Sequence, residues 1–455
     1  MRILSITAGA AGMYCGSCLR DNSLAVELLA RGHDVTLLPL YTPATTDEPS
    51  VSRQQVLFGG ISIYLQQYLR VFRRMPRLFD RIWDSPRVIN AFASRSLSTD
   101  PKLLGDLTIS MLEGEHGVLR REFEKLLEWL AGEPAPDVVN LPNSLLIALA
   151  DPIRRALKCP VCCTLQGEDL FLDGLIEPYR GRALDLIRRH VPTVDRFIAV
   201  SDYYAPVMSR MLRIPADRMT VVPLGINMAG YGTDGARRRP DDGVFRVGYF
   251  ARVAPEKGLH VLAEAYRLLR RRVDDDDAAA AATTAAATSH IRLEAAGYLS
   301  RAHEPYLAGI RRSLASAGLA GEFVYHGAVD RDGKLAFLRS LDVLSVPAPY
   351  DEPKGVFLLE AMASGVPVVQ PRRGTFTEIV ESTGGGLLVA PDDPAALADG
   401  LWSLFQNRAL AASLGERGFH GVREHYTIQR SADRLLGLYD LLVAGPLPMA
   451  AAGRS

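Results

Sequence analysis

Neither sign of charge prevails in this chain: 52 Lys and Arg stand against 52 Asp and Glu over 455 residues, so the global balance argues against nucleic acid or an acidic polymer as partner. Long hydrophobic runs are missing as well. The N-terminal MRILSITAGAAG reaches glycine before its apolar stretch attains the length of a secretion signal or membrane span, and no later stretch approaches one. Five cysteines are a sparse, odd set that does not suggest a disulfide framework, which fits a reducing cytoplasm. What the chain has in quantity is ordinary globular material, 48% hydrophobic and 23% charged. Its length points to two or three domains, with two as the working number.

Short apolar or β-branched runs alternate with amphipathic helical patterns, the signature of an α/β protein with parallel sheets and crossover helices. The pattern runs through the chain twice. In the first half the strand candidates are Arg2 to Thr7, Asp34 to Pro39, Val138 to Leu141, Pro160 to Leu165, Arg196 to Val200 and Met219 to Val222, with a helix from Ser17 to Arg31 closed by Gly32. In the second half they are Phe245 to Ala251, His290 to Ala296, Phe323 to His326, Val343 to Val346, Val366 to Gln370 and Gly386 to Val389, with a helix from about Gly258 to Arg272. Gly230 to Gly243, rich in Gly, Arg, Pro and Asp, reads as an exposed linker. The resulting division is 1–225, 226–425 and a C-terminal helix over 426–445, with a basic, aromatic insertion at about 55–130. Asp274 to Ser289 is of low complexity and reads as a disordered surface loop whose acidic run is solvated rather than metal-binding. The segment from Ile61 to Ala93 interleaves aromatic residues with arginines; a helical hairpin packed on the first domain, an acceptor site and a membrane-surface contact all fit it.

The chemistry concentrates in YDEPKGVFLLEAMASG, Tyr350 to Gly365. Glu352 and Glu360 flank a Gly-containing turn and an apolar helical run. A helix starting near Gly355 or Val356 turns its N–H groups toward the loop and suits an anionic diphosphate. Carboxylates accept hydrogen bonds from vicinal hydroxyls, so one glutamate suits a ribose and the other a hexose. The same spacing also fits a capped surface helix. In VGYFARVAPEK, Arg252 lies just beyond a strand end and Lys257 at the start of the next helix, where open α/β sheets bind ligands and where two cations can neutralise a departing diphosphate; solvent-facing positions are the alternative. Gly9, Gly12 and Gly16 sit between the first strand and first helix, where backbone can approach a ligand or pack tightly on the sheet.

Together ARVAPEKG, HGAVDRDGKLAFLRSLDVLSVP and EPKGVFLLEAMASGVPVV resemble the nucleotide-binding domain of the large retaining glycosyltransferase group with the GT-B fold, two Rossmann-like domains facing each other across a cleft. The Glu, seven residues, Glu motif is that group's hallmark. The resemblance is strong over 245–400 and extends into the first half through the glycine loop, RGHDVTLL and AVSDYYAPVM. It implies that Arg252 and Lys257 grip the donor diphosphate, that Glu360 binds the nucleotide ribose and that Glu352 contacts the donor sugar near its reacting face. It further implies that Lys354, Gly355, Val356 and Phe357 offer backbone amides to sugar and phosphate, that the segment ending at Val329 cradles the base, and that Gly12 and Gly16 approach the donor from the first domain. The implied substrates are a nucleotide-diphosphate sugar and a saccharide, lipid-linked or small-molecule acceptor, with no other cofactor and no nucleic acid. The location expected from the sparse cysteines is the cytoplasm, with the arginine-rich segment leaving room for contact with the inner face of the membrane.

Many members of the group place His and Asp at the end of a first-domain strand; this chain has Thr164, Leu165, Gln166, Gly167, Glu168 and Asp169. Gln166 cannot carry a proton but can position an acceptor hydroxyl, and in front-face attack the leaving phosphate takes the proton. Glu168 and Asp169 read either as acceptor-side helpers or as helix-entry residues. No suitably placed Asp-x-Asp motif is present, so activity without divalent metal is expected. Cys15 with Cys18 and Cys159 with Cys162 form two Cys-x-x-Cys pairs, readable as zinc ligands or as buried small hydrophobes. Rival functions are a sugar-nucleotide epimerase or phosphorylase and a non-catalytic sugar-nucleotide-binding or membrane-recruitment protein. A dehydrogenase is disfavoured because GAAGMYCG lacks the usual dinucleotide glycine spacing.

Overall fold

A computed structural model of the chain describes residues 1–9, 16–42, 46–53, 101–232, 242–281 and 290–445. Two compact units emerge, one from Met1–Leu224 together with the chain from Ile428 onward, the other from Gly225–Thr427. Among the described residues each unit carries one parallel six-stranded sheet with crossover helices.

In unit 1 the strands are β1 (Arg2–Thr7), β2 (Asp34–Pro39), β3 (Val138–Leu141), β4 (Val161–Leu165), β5 (Arg196–Ala199) and β6 (Met219–Val221), ordered β2-β1-β3-β4-β5-β6. The sequences VVNL and VCCTL of β3 and β4 are buried throughout. Parallel strands covered on both faces require such nearly unbroken apolar runs. Helix Ile428–Ala444 packs Ile428, Ala432, Leu435, Leu438 and Tyr439 against Ile3, Leu24, Leu28, Val138, Ile198 and Val222. Arg31 fastens it by donating to Asp433 at 2.5 Å and to the carbonyl of Gln429 at 3.0 Å. The 55–130 insertion contributes two helices to this unit, Pro101–Leu112 and Arg120–Gly132, the latter burying Phe123, Leu126 and Leu130. The aromatic and arginine-rich stretch 61–93 lies outside the described residues.

Unit 2 has β7 (Val244–Phe250), β8 (His290–Ala296), β9 (Phe323–Tyr325), β10 (Val343–Leu344), β11 (Val368–Pro371) and β12 (Gly386–Val389), ordered β12-β11-β10-β7-β8-β9. After β7 the chain winds outward through β8 and β9, then returns to place β10 on the other side of β7. That reversal opens a crevice at the carboxyl ends of β7 and β10.

Two expectations require correction. Asp274 to Ala281 is not loop but the end of helix Leu259–Ala281. Arg270 pairs with Asp274 at 2.6 Å and reaches Asp277 at 3.7 Å, so two of the four aspartates share one guanidinium along the helix, and alanine favours continuation. Residues 282–289 lie outside the described residues. The linker is exposed as expected at Gly230, Gly232, Asp242 and Gly243 but not at Tyr231, which is buried, and Gly232 accepts from Arg423 at 2.6 Å. Residues 233–241 lie outside the described residues. Among the described residues no helix is long and apolar enough to cross a membrane.

Candidate active site

The crevice of unit 2 is built by the two loops that leave β7 and β10. Beyond β7, Tyr249 donates its hydroxyl to the carbonyl of Arg252 at 2.9 Å, and a single 3-10 turn, Pro255–Lys257, precedes helix Leu259–Ala281. Lys257 therefore sits on the turn, ahead of the helix proper. Gly258 makes this placement workable: its φ is +76°, and a Cβ there would lie 2.0 Å from the carbonyl oxygen of Pro347. The turn consequently rests directly on the chain emerging from β10, and the Lys257 ammonium reaches the 350–352 loop. It donates to the Tyr350 hydroxyl at 2.8 Å, pairs with the Glu352 carboxylate, and lies 5.1 Å from the centre of the Tyr350 ring.

Glu352 is 2% exposed. Its backbone supports the start of helix Gly374–Thr383, with the Thr375 N–H donating to the Glu352 carbonyl at 2.9 Å. Lys257 and the Tyr350 hydroxyl both donate to Glu352 Oε2. Burial alone would raise the Glu352 carboxyl, but the charges of Lys257 and Lys354 and the two hydrogen bonds outweigh it and hold it down at about 2. A carboxylate that stays charged in a buried crevice beside a lysine can orient hydroxyls on one side and share a cation with an anionic group on the other.

Glu360 lies on the next element, helix Val356–Ala363, which opens at Gly355 with φ +63°. The first N–H groups of such a helix have no partner within it and point back toward the loop. Glu360 is 5% exposed, and its Oε1 accepts from Lys334 at 2.6 Å and from the Tyr231 hydroxyl at 3.4 Å. Lys334 comes from helix Arg331–Ser340, whose N-cap Asp330 accepts from the Gly333 N–H. Each glutamate of the motif is thus held by one lysine and one tyrosine hydroxyl on a single carboxylate oxygen.

The sequence-predicted residues are brought together unevenly. Lys257 and Glu352 meet directly. Arg252 is on the same loop as Lys257 but is exposed and pairs with Glu256 at 2.5 Å. Lys354 and Val356 are half-buried, Gly355 and Phe357 are buried, and all four form the loop and first turn leading to Glu360. Val329 is half-buried in the loop beyond β9, also at the carboxyl edge of the sheet. Tyr350, Lys334 and Tyr231 were not singled out by sequence; only Tyr350, two residues before Glu352, carried a local hint.

Family models place these residues in context. The model for group 1 glycosyl transferases matches residues 235–420, nearly all of unit 2, and the model for glycosyltransferase family 4 matches residues 107–229, which lie in unit 1 as far as Leu224. The chain belongs to the group 1 glycosyltransferases. A lipopolysaccharide core biosynthesis mannosyltransferase of Rhizobium meliloti is 30% identical over 152 residues, 32% of this chain and 42% of that protein. Among solved structures, sucrose-phosphate synthase from Thermosynechococcus elongatus has a TM-score of 0.68 at 18% identity, covering 98% of this chain and 99% of that one. Anabaena HepE, solved with UDP and glucose, has a TM-score of 0.64 at 15% identity, covering 97% and 99%. Both share the fold, two Rossmann-like α/β units. Across four curated relatives the chain covers 33% to 66% of their own length.

In unit 1 of this glycosyltransferase, Gln166 and Glu168 follow β4. Glu168 is buried and accepts from the N–H and hydroxyl of Ser144, both at 2.9 Å, and from the N–H of Gln166 at 2.8 Å. It staples the loop after β3 to the loop after β4, and burial raises its carboxyl. Gln166 donates to the Pro142 carbonyl at 2.9 Å, while its Oε1 is buried without a hydrogen-bond partner among the described residues. Asp169 opens helix Asp169–Asp173 and accepts from the Tyr204 hydroxyl at 2.7 Å. Gly16 is the first residue of helix Gly16–Ala30; Gly12 and Cys15 lie outside the described residues. Cys18, Cys159, Cys162 and Cys163 are buried, and the Cys18 sulfur accepts from the Thr7 hydroxyl at 3.9 Å. Burial pushes the Cys159 thiol up to about 11 and those of Cys162 and Cys163 well above their ordinary value, the behaviour of packed thiols rather than nucleophiles. Among the described residues no cluster of three or more His, Cys, Asp or Glu side chains is placed to hold a metal ion.

Proposed function

We propose that this glycosyltransferase is a retaining hexosyltransferase that moves a hexose from a nucleoside-diphosphate sugar to an acceptor hydroxyl without a divalent metal. The observation that carries the reading is the pair Lys257–Glu352, set at the switch point of a Rossmann sheet beside the start of helix Val356–Ala363. In this reading Lys257, with Arg252, neutralises the departing diphosphate, and the backbone amides of Gly355, Val356 and Phe357 receive sugar and phosphate oxygens. Lys354 adds positive charge beside Glu352. Glu352 orients the hexose near its reacting carbon, Glu360 takes the ribose hydroxyls, and the loop at Val329 borders the base. Gln166 is the acceptor-side residue, with Glu168 fixing its loop. Membership in the group 1 family favours transfer over epimerisation.

The reaction breaks the bond between the anomeric carbon and the diphosphate oxygen and forms one to the acceptor oxygen on the same face. The acceptor proton passes to the leaving phosphate oxygen, yielding a glycoside and a nucleoside diphosphate. No side-chain base is needed for this balance, which suits a site with Gln166 where a histidine is common.

Stereochemistry and metal dependence test the proposal together. Proton NMR of the product formed from an α-linked donor is expected to show an α-glycoside, and turnover is expected to survive EDTA. A β-linked product, or activity abolished by EDTA and restored by a divalent metal, would sink it.

A further inference from the structure

Glu360 is held more tightly than a ribose-binding carboxylate on a surface helix would be. Lys334, Tyr231 and Glu360 are 3%, 4% and 5% exposed, so a lysine ammonium and a carboxylate are both removed from water and need each other. Their contact, 2.6 Å between Lys334 Nζ and Glu360 Oε1, is that of a charge-assisted hydrogen bond. The Tyr231 hydroxyl reaches the same oxygen at 3.4 Å.

The scaffold behind these donors is fixed. Lys334 is buried on helix Arg331–Ser340. Tyr231 is delivered by the segment 227–232, and arginines take hold of that segment's carbonyls: Arg331 donates to Ala229 at 2.7 Å, Arg339 donates to Gly230, and Arg423 donates to Gly232 at 2.6 Å. The guanidinium of Arg331 also lies 5.8 Å from the centre of the Tyr231 ring. Two donors arriving on one oxygen from separate elements fix the rotation of the Glu360 carboxylate, since turning it would break both contacts. A carboxylate that must meet two vicinal hydroxyls gains from such fixing, because productive geometry tolerates only small angular error.

We propose that Lys334 and Tyr231 are positioning residues that set the Glu360 carboxylate for the ribose hydroxyls of the donor nucleotide. The inference rests on the reading of Glu360 as the ribose-binding residue. It makes the connecting segment, through Tyr231, part of the donor site.

Titration calorimetry with UDP, GDP and ADP and with their 2′,3′-dideoxy counterparts tests it, the readout being the ratio of ribo to dideoxy affinity for whichever base binds. Wild type is expected to prefer the ribonucleotide, and Glu360→Gln to lose most of that preference. Lys334→Met is expected to reduce the ratio about tenfold, the scale of one charge-assisted hydrogen bond, with Lys334→Arg restoring most of it. Tyr231→Phe, which removes one oxygen and keeps the ring, is expected to reduce it about threefold and decides the matter should Lys334→Met fail to fold. A lysine and tyrosine that merely stabilise the unit would weaken ribo and dideoxy ligands alike. An unchanged ratio in Lys334→Met and Tyr231→Phe, with the ratio lost in Glu360→Gln, overturns the inference and leaves the donor reading standing. Wild type that binds no nucleotide, or binds with no ribo preference, overturns both.

Discussion

Burial and charge pull Glu352 in opposite directions, and the neighbouring charges win. The carboxyl falls from the ordinary 4.5 to about 2 on folding, which is worth about 3 kcal/mol. Because the folded value is the depressed one, this stabilisation is fully present above about pH 4.5 and is lost as pH falls toward 2. Glu352→Gln cannot titrate and lacks it. Urea unfolding of the two proteins between pH 6 and pH 2 is therefore expected to show their stability difference shifting in favour of the variant by about 3 kcal/mol as the medium is acidified. A difference independent of pH would contradict this account of Glu352. At this scale the sequence reading singled out Arg252, Lys257, Glu352 and Glu360 as candidates, because all lie in local motifs. It did not find Lys334 or Tyr231, which meet Glu360 across 26 and 129 residues of sequence, a separation that leaves no periodicity to read.

Elements owe their positions to a few places where backbone passes close to backbone. Helix Gly374–Thr383 starts at a glycine with φ +52°, where a Cβ would lie 2.7 Å from both the N and the O of Glu352. Gly374→Ala is expected to destabilise the protein by about 1–2 kcal/mol from the left-handed backbone alone, with added displacement of the Glu352 loop. Thermal unfolding measures the first effect, and a rise in the donor KM larger than the stability loss accounts for measures the second. An unchanged KM would show that the Glu352 loop does not depend on this contact. Most strands were legible from their apolar runs, and β1, β2, β3, β8 and β12 have the bounds read from sequence. The second half of Val343 to Val346 was not: the chain leaves the ladder after Leu344 to form the turn that carries Pro347 over Gly258. Asp274 to Ala281 was misread because low complexity hid an Arg270–Asp274 pairing at helical spacing.

For the molecule as a whole, alternation of strand and helix was enough to read two parallel-sheet units, since parallel neighbours need a crossover connection and a helix usually supplies it. The order of strands was not contained in that alternation. It is the order β12-β11-β10-β7-β8-β9 that brings the exits of β7 and β10 side by side and makes neighbours of Lys257 and Glu352, 95 residues apart. Unit 1 depends on the end of the chain: Ile428, Leu435, Leu438 and Tyr439 cover its sheet and first helix, each burying apolar area worth about 2 kcal/mol before entropy is counted.

The central claim is that this crevice of unit 2 binds and activates a sugar nucleotide through Lys257 and Glu352. The most direct test is the initial rate of nucleoside diphosphate release from a panel of UDP- and GDP-hexoses, compared among wild type, Lys257→Ala and Glu352→Gln. Wild type is expected to release the diphosphate from at least one donor, and each variant to be slower by about 10²–10³, the usual effect of removing one group that stabilises developing charge. Equal release by all three proteins, or none by wild type from any donor, would contradict the account.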